Sequence, residues 1–477
     1  MKTTAVLAGS ILIAAAAYTG AAWYVGAEAE HTIRAAVERA NQRIVKTIGP
    51  EVGSVGATIS IDEYRRGVFS SEARYTFVLQ DGGERTEVSL HDHMQHGPFP
   101  FGLLSQGVLA PQLAWSRSQL VDTESVKRWF DAARGSMPLE AETRIGFGGK
   151  GMTEWRFAPL QWVGDGEQFA FSGGQVRVDF SNDFRDSDAK GRFEAITLGE
   201  GDAETVTLKN VDIQSNTRTA ADDSVKVDSG LTIAALVADT GVSEPLVLEG
   251  VSVSLQSTQK EALLDAVLRY DVKRLRVGEA DLGSITMGGE VERFNFEAFS
   301  NLITEYDAIA AEHGAQEGED FDLTPADETR LLARVVPILA SSPEFALQPV
   351  SWRNEEGETS LSLSLALQPI PEGDTRAQEE ALADSLREVR LEIALSRPML
   401  LQAISRAAGG GEEGQEFAMF AALILDSYIA QLEEQGLVRV EDERSVMSVL
   451  YQNGEVNLNG QTMPVDEFLY LVSAFSL

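Results

Sequence analysis

Alternation of apolar and polar residues with a period of two dominates the chain from about residue 52 onward. In the clearest stretch, residues 359–367, four leucines alternate with smaller side chains; these are Leu361, Leu363, Leu365 and Leu367. Successive side chains of a strand point to opposite faces, so the pattern predicts a strand with one apolar face. Further runs of this kind occupy residues 75–79, 175–180, 193–198, 206–213, 246–255 and 389–395.

Short turn sequences separate these predicted strands. Gly148-Gly149, Glu356-Gly357 and Asn453-Gly454 are three of them. Strands joined so closely must be antiparallel, because parallel neighbours need a long crossover. Helical patterns interrupt the strands at residues 123–133, 324–340, 417–435 and 465–475. The predicted fold class is therefore α+β, with a large, mostly antiparallel, extended sheet and interspersed helices.

The N-terminal region predicts a membrane anchor. After a stub of residues 1–2, residues 3–25 contain no charged side chain. A helix of that length is ~35 Å long and spans the ~30 Å hydrocarbon core of a bilayer. A cleaved signal peptide is the alternative, because Ala27-Glu28-Ala29 has the form of a cleavage site. The length of the stretch and the aromatic pair Trp23-Tyr24 favour a retained transmembrane helix.

The remaining chain divides into three predicted regions. Residues 26–50 follow as an amphipathic helix, residues 51–310 as a β-rich region, and residues 323–477 as a region in which a helix followed by a hairpin occurs twice. With only two residues before the span, the simplest topology has the N-terminus inside. In a bacterium this predicts a single-pass inner-membrane protein with most of its chain in the periplasm.

Charge and cysteine content exclude several functions. The formal net charge is −35, and such a field repels phosphate backbones, so a nucleic-acid partner is excluded. The chain has no cysteine, which excludes disulfides, a thiolate nucleophile and cysteine-ligated metal centres. No cofactor is predicted.

Three of the five histidines stand close together in the sequence, at His91, His93 and His96. On a strand, His91 and His93 point to the same face, and His96 could close a metal site from a following turn. That arrangement predicts a metal-dependent hydrolase. The alternative is that the histidines are exposed or satisfy local hydrogen bonds.

The alternating leucine face also has two interpretations. It can pack entirely against helices or a second sheet. Alternatively, a partly uncovered face forms a groove for an acyl chain or a partner's strand, lined by Leu361, Leu363, Leu365 and Leu367.

Three segments carry a family resemblance, namely residues 64–71 (YRRGVFSS), 96–100 (HGPFP) and 451–460 (YQNGEVNLNG). With the N-terminal span, they make the chain similar to the YdgA family of bacterial envelope proteins, a domain of unknown function. The resemblance implies an inner-membrane anchor, a periplasmic body and association as a dimer. The β-rich layout is more distantly similar to AsmA-like envelope proteins, which implies lipid handling. Neither resemblance supplies catalytic residues.

These observations favour a non-enzymatic envelope protein, either a scaffold or a carrier of an apolar ligand such as a lipid. Its expected partners are the bilayer, through residues 3–25, and a lipid or an envelope protein. The first alternative is the metal-dependent hydrolase. The second is a dimeric partner-binding module that associates through a sheet edge.

Overall fold

The structure is a computed structural model. It describes residues 38, 41, 56–67, 70–81, 84–96, 99–164, 166–181, 185–200, 204–315, 321–370 and 384–473. The predicted anchor at residues 3–25 lies outside these ranges, and of the predicted amphipathic helix only Glu38 and Asn41 are described, both helical. Within the described part of the chain, no helix is both long enough and apolar enough to cross a membrane.

The chain forms two compact units. The first contains Met1–Asp202, Thr207–Ser229 and Asp307–Phe321. The second contains Ala203–Val206, Gly230–Tyr306 and Asp322–Leu477. Strands β11 (Glu204–Thr219) and β12 (Val225–Asp239) contribute residues to both units.

Antiparallel hairpins build the first unit. Its strands are β1 (Gly56–Arg66), β2 (Ser70–Asp81), β3 (Glu84–His96), β4 (Ala114–Leu120), β5 (Leu139–Ile145), β6 (Gly151–Phe157), β7 (Leu160–Gly164), β8 (Glu167–Phe171), β9 (Gly174–Phe180) and β10 (Ser187–Glu200). They pair in the order β1-β2-β3-β4-β5-β6-β9-β10-β8-β7. Two short helices, α1 (Phe101–Ser105) and α2 (Lys127–Ala132), and a 3-10 turn (Glu124–Val126) lie between strands.

One face of this first sheet is a core. Tyr75 and Leu90 are paired across β2 and β3, and each is at most 1% exposed. Among the described residues β1 pairs with β2 alone, and on its other side the Asn41 side chain bonds to the strand backbone. Its Nδ2 donates to the carbonyl oxygen of Ile59 at 2.9 Å, and its Oδ1 accepts from the Ile59 backbone N–H at 2.8 Å. These bonds satisfy backbone groups that an open edge leaves unpaired.

The second unit has a longer run of antiparallel strands. They are β13 (Leu246–Lys260), β14 (Leu263–Val277), β15 (Ala280–Asn295), β16 (Glu344–Asn354), β17 (Gly357–Leu367), β18 (Leu386–Ser396), β19 (Arg439–Glu441), β20 (Arg444–Gln452), β21 (Glu455–Leu458) and β22 (Gln461–Pro464). The pairing order is β13-β14-β15-β16-β17-β18-β20-β21-β22, and β19 pairs with β20. The predicted α+β class with a large antiparallel sheet is confirmed.

Five helices follow or separate the strands of the second unit, and the first of them continues into the first unit. They are α3 (Phe296–His313), α4 (Pro325–Leu339), α5 (Arg397–Ala407), α6 (Gly411–Glu434) and α7 (Val465–Ser473). Helix α3 begins where β15 ends, so the strands of the predicted β-rich region stop at Asn295. Helix α4 precedes the β16–β17 hairpin, and α6 precedes strands β19 to β21.

Local sequence signals account for several element boundaries. Thr324 caps α4, because its hydroxyl accepts from the Asp327 backbone N–H while the Asp327 carboxylate accepts from the Thr324 backbone N–H. Asn453 and Gly454 have φ angles of 54° and 80°, the left-handed pair that a tight hairpin requires. Pro337 lies inside α4, and α6 begins at Gly411, six residues before the helical pattern predicted from residue 417.

Candidate functional site

A row of apolar positions runs across the strands of the second unit. Directly paired residues of antiparallel strands share a face, so successive pairings trace the row from strand to strand. Leu255 pairs with Leu268, Leu268 with Gly289, Gly289 with Leu347, and Leu347 with Leu363. We call these five positions the leucine row.

The leucine row is exposed to solvent. Its leucines have the following exposed fractions: Leu255 37%, Leu268 48%, Leu347 39% and Leu363 38%. On the same face of β13 and β14, Val251 and Val272 are only 4% and 2% exposed. The same sheet face is therefore covered at Val251 and Val272 and open at the leucine row.

A bulge in β16 keeps the row in register. Leu347 and Val350 are three residues apart, yet they pair with Gly289 and Met287, which are two apart. One extra residue on β16 absorbs the difference, so both Leu347 and Val350 face the same side. Proline lacks a backbone donor, so Pro349 is tolerated at this interruption of the ladder.

Helix α5 covers one flank of the row. The Ser396 backbone N–H, at the cap of this helix, donates to Thr359 Oγ1 at 3.1 Å. The Asn354 side chain donates to the carbonyl oxygen of Met399 at 3.0 Å. Met399 is completely buried. Thr359 lies on the leucine face of β17, two residues from Leu361. Helix α5 therefore covers the part of this face around Thr359.

Aromatic side chains line the other flank. Phe345 pairs with Leu365, one level beyond the leucine row. Its ring centroid lies 5.9 Å from that of Phe294, which in turn lies 5.3 Å from Phe299 of α3. The row thus has aromatic rings on one side, and on the side of α5 the exposed surface continues to Met287, which is 41% exposed.

A small hydrophobic core, the end cluster, closes one end of the row. Leu363 pairs with Leu391, and Leu391 with Val449, which is 7% exposed. The buried members of the end cluster are Leu437, Val449, Val456 and Leu458. Leu391, Leu432 of α6 and Phe468 of α7 pack against them.

The opposite face of the sheet is polar. Ser351 pairs with Thr286 and with Ser360, and Thr286 Oγ1 donates to Asp271 at 2.9 Å. Ser362 pairs with Glu392. The sheet therefore presents one hydrated face and one apolar face, and an apolar ligand can lie only on the leucine side.

The predicted groove residues Leu361, Leu363, Leu365 and Leu367 all lie on β17, the first three facing the same side through their pairing with β18. Of these four, only Leu363 belongs to the exposed row; the other three are half-buried. Sequence reasoning missed Leu255, Leu268, Gly289 and Leu347. The period-two pattern at residues 246–255 was a usable signal for Leu255. The sequence alone does not show which residues of neighbouring strands pair.

The three predicted metal ligands lie on two faces of β3. The strand continues to His96, so no turn brings this residue back toward the other two. His91 is exposed, and His93 Nδ1 lies 3.9 Å from a Glu72 oxygen. Among the described residues, no group of three His, Asp, Glu or Cys could hold a metal ion. The three-histidine site remains a prediction that this geometry does not support.

His96 instead joins two of the segments that carry the family resemblance. Its Nε2 lies 3.0 Å from Ser71 Oγ, which accepts a hydrogen bond from the Tyr64 hydroxyl at 3.3 Å. Ser71 is 2% exposed, so substrate cannot reach its hydroxyl. These contacts tie strands β1, β2 and β3 together and serve a structural role.

A buried carboxyl group lies at the centre of the first sheet. Asp92 on β3 is completely buried, and its Oδ1 accepts from Ser116 and Ser118 of β4, each at 2.5 Å. Its Oδ2 has no hydrogen-bond partner among the described residues. Burial raises the pKa of Asp92 to about 8, although both serine hydrogen bonds act to lower it. Burial and the Asp92 charge also raise the pKa of Tyr75.

The fold and the site define a sheet-rich α+β protein whose second unit carries a partly uncovered apolar face. The chain belongs to the family described as "Bacterial protein of unknown function (DUF945)", whose model matches residues 1–466. It is 26% identical over 500 residues to "Protein YdgA" of Escherichia coli (strain K12), covering 98% of this chain and 96% of that protein. It is 22% identical over 490 residues to "Uncharacterized protein YihF" of the same organism, covering 98% of each. The resemblance to the YdgA family is confirmed; no solved structure matches.

Replacing Asp92 by asparagine should remove a pH-dependent loss of stability. Because its folded-state pKa is raised, the folded protein binds this proton more tightly than the unfolded chain. The stabilisation is complete below roughly pH 4 and is lost as pH rises to about 8, with a slope of at most about 1.4 kcal/mol per pH unit. In Asp92→Asn, thermal unfolding of the full chain should depend less on pH across this window.

Asp179→Asn is the control. Asp179 lies on the opposite, solvated face of the strands in the first unit and forms an ion pair with Arg177. It should retain the wild-type pH dependence. An identical pH profile for wild type and Asp92→Asn would show that Asp92 does not titrate in this range.

Proposed function

We propose that this protein is a non-enzymatic, membrane-anchored envelope protein that holds a lipid acyl chain along the leucine row. The observation that carries the proposal is the exposure of Leu255, Leu268, Leu347 and Leu363 in one row on the apolar face of the sheet. Leaving such side chains in water forgoes about 25 cal/mol per Å² of burial. A contiguous exposed apolar surface of this kind marks a binding site.

The length of the row suits an acyl chain. It crosses five strands, β13 to β17, which are four inter-strand spacings or roughly 19 Å. One acyl chain of a membrane lipid covers about half of the ~30 Å hydrocarbon core. A single extended chain therefore fits between Leu255 and the end cluster.

The chemistry of the row favours an alkyl chain over a polypeptide. Leu255, Leu268, Leu347 and Leu363 offer no hydrogen-bonding side chain, and the backbone groups of β14 to β17 are occupied by their neighbours in the sheet. An extended peptide lying across the strands would leave its own backbone N–H and C=O groups unpaired. An alkyl chain has no such groups, so its burial carries no polar penalty.

The predicted anchor at residues 3–25 would keep the groove close to a source of lipid. The net charge of −35 disfavours close approach to anionic head groups. A zwitterionic lipid, with its head group outside the groove, is the favoured ligand.

Leu363→Asp should abolish lipid binding. At 38% exposure the new carboxylate stays hydrated in the empty protein, but an acyl chain would have to desolvate it. Mass spectrometry of protein extracted in mild detergent should detect co-purifying lipid in the wild type and little in the variant. Ser362→Asp adds the same charge to the opposite face of β17 and should retain the lipid. Wild-type protein without any co-purifying lipid would contradict the proposal.

The membrane topology is tested separately. Alkaline phosphatase fused to the C-terminus folds only in an oxidising compartment, so the full-length fusion should be active in a bacterial host. The same fusion lacking residues 1–25 should be inactive. Activity in both, or in neither, would contradict an anchored protein with its body in the periplasm.

A second candidate function is a dimeric partner-binding module. Helix α6 exposes six large apolar side chains, each at least 46% accessible, namely Phe417, Met419, Phe420, Leu423, Ile424 and Tyr428. The stretch 417–425 is uncharged. This helix, rather than a sheet edge, is the surface that suits a second copy of the chain.

Phe420→Glu should convert such a dimer into a monomer, because a carboxylate at the centre of an apolar contact is desolvated without a partner. Light scattering of the detergent-extracted protein measures the change. Gln415→Glu, an equally charged substitution at an exposed position of the same helix, should leave the dimer intact. A wild-type protein that is monomeric throughout would exclude this candidate.

A further inference from the structure

An uncharged apolar surface lies at one end of the strands of the first unit. Residues 99–116 contain no charged side chain, although 24% of the residues of the chain are charged. Large apolar side chains of this stretch and of the β5–β6 turn are nevertheless exposed, namely Phe99 49%, Phe101 80%, Leu109 75% and Phe147 56%. We call these four residues the loop patch.

Strand register places both loops at the same end. His96 ends β3 and pairs with Ala114, the first residue of β4. Ala114 also pairs with Ile145, which ends β5, and Ile145 pairs with Gly151, which begins β6. The Leu113 backbone N–H donates to the carbonyl oxygen of Ile145 at 2.7 Å. The β3–β4 connection, which contains α1, and the β5–β6 turn therefore leave the strands side by side.

The neighbours of Phe101 hold α1 against the strands and leave Phe101 itself in solvent. Leu103 is only 1% exposed. Gly102 lies directly on the Trp115 indole, because a Cβ atom at this position would overlap the ring. The Gly102 backbone N–H also donates to Gln95 Oε1 at 2.8 Å. The exposure of Phe101 is thus imposed by the packing of the residues around it.

The β5–β6 turn holds Phe147 at its tip. The Gly146 backbone N–H donates to the carbonyl oxygen of Lys150 at 3.0 Å, and the Gly149 backbone N–H donates to that of Gly146 at 2.9 Å. Gly149 has a φ angle of 75°, which glycine adopts without strain. Lys150 is exposed and is the one charged residue of the sequence 146–150, so its ammonium group suits a lipid phosphate.

We propose that the loop patch docks on the surface of a zwitterionic bilayer, with Phe101, Leu109 and Phe147 inserted among the lipid acyl chains. A chain with a net charge of −35 is repelled by anionic surfaces, so an uncharged surface is the part that can approach lipid closely. Phenylalanine and leucine side chains exposed beside polar groups are typical of protein surfaces that lie in the membrane interface. The predicted anchor at residues 3–25 is separated from β1 by 30 residues and would keep the patch within reach of a bilayer.

A bilayer suits the loop patch better than a protein partner does. The strands that carry it, β3 to β6, span three inter-strand spacings or roughly 14 Å, and its side chains protrude from separate loops. A protein partner would need a pocket for each protruding side chain, and it gains specificity from charged groups for which the patch has no counterpart. A bilayer accommodates protruding apolar side chains without preformed pockets.

The test uses full-length protein in phosphatidylcholine nanodiscs. Because the chain has no cysteine, Leu109→Cys provides a single attachment site for a fluorophore such as NBD. A nitroxide on the lipid acyl chain should quench this fluorophore, and iodide in the water should quench it little. The same fluorophore attached to Val242→Cys is the control. Val242 is 94% exposed but lies between Asp239 and Glu244, so iodide and not the lipid nitroxide should quench it there.

Charged substitutions within the patch should abolish docking. Phe101→Asp combined with Phe147→Asp should remove lipid quenching at position 109, because two carboxylates would have to leave water for the patch to insert. Val163→Asp combined with Val242→Asp adds the same charges at positions that are 79% and 94% exposed, and should retain the quenching. Thermal unfolding of each variant establishes that it is folded.

The outcomes separate docking from the proposed function, because docking does not involve the leucine row. Leu363→Asp should retain lipid quenching at position 109; loss of quenching in this variant would place the nitroxide lipid in the leucine row and overturn docking. If the protein co-elutes with nanodiscs but position 109 is not quenched, docking is overturned while the anchor stands. Equal quenching with and without the two aspartates in the patch would overturn it too. Protection from iodide without lipid quenching would assign the patch to a protein contact instead.

Discussion

The hydrogen-bonded register of strands β13 to β18 is the constraint on which the candidate site depends. Each side chain of a strand faces one side or the other, so a slip of one residue in any of these pairings would move a leucine to the polar face. The bulge in β16 is part of this register, because it lets Leu347 and Val350 share a face despite their odd separation. The leucine row is thus a product of pairing between strands rather than of any single strand.

Partial coverage makes this face a candidate site. Helix α5 covers part of the face on one side of the row, the Phe294, Phe299 and Phe345 rings line the other side, and the end cluster closes the β20–β22 end. A fully covered face would be an ordinary core, and a fully open one would promote aggregation. The leucine row is intermediate, because it is exposed next to covered parts of the same face.

The first unit uses its buried face differently. There the sheet encloses polar groups, with Asp92 held by two serine hydroxyls and the Tyr64–Ser71–His96 chain linking three strands. Because Asp92 and Ser71 are buried, their hydrogen bonds help to specify which strands pair and in which register. The hydrogen bonds of Ser71 join two of the segments that resemble the YdgA family, residues 64–71 and 96–100. Part of the resemblance therefore lies in residues that hold this sheet together.

The sequence by itself determined the elements and their faces. Period-two alternation predicted β17 and β18, Asn453-Gly454 predicted a hairpin turn, and the helical pattern from residue 324 predicted α4, because these signals act over a few neighbouring residues. It did not reveal α3, α5 or the exposed row. Burial of a leucine depends on which distant segment covers it, and Leu255 and Leu363 belong to the same row although 108 positions separate them. Only the tertiary structure, through strand registry and helix placement, decided that one part of an apolar face stays open.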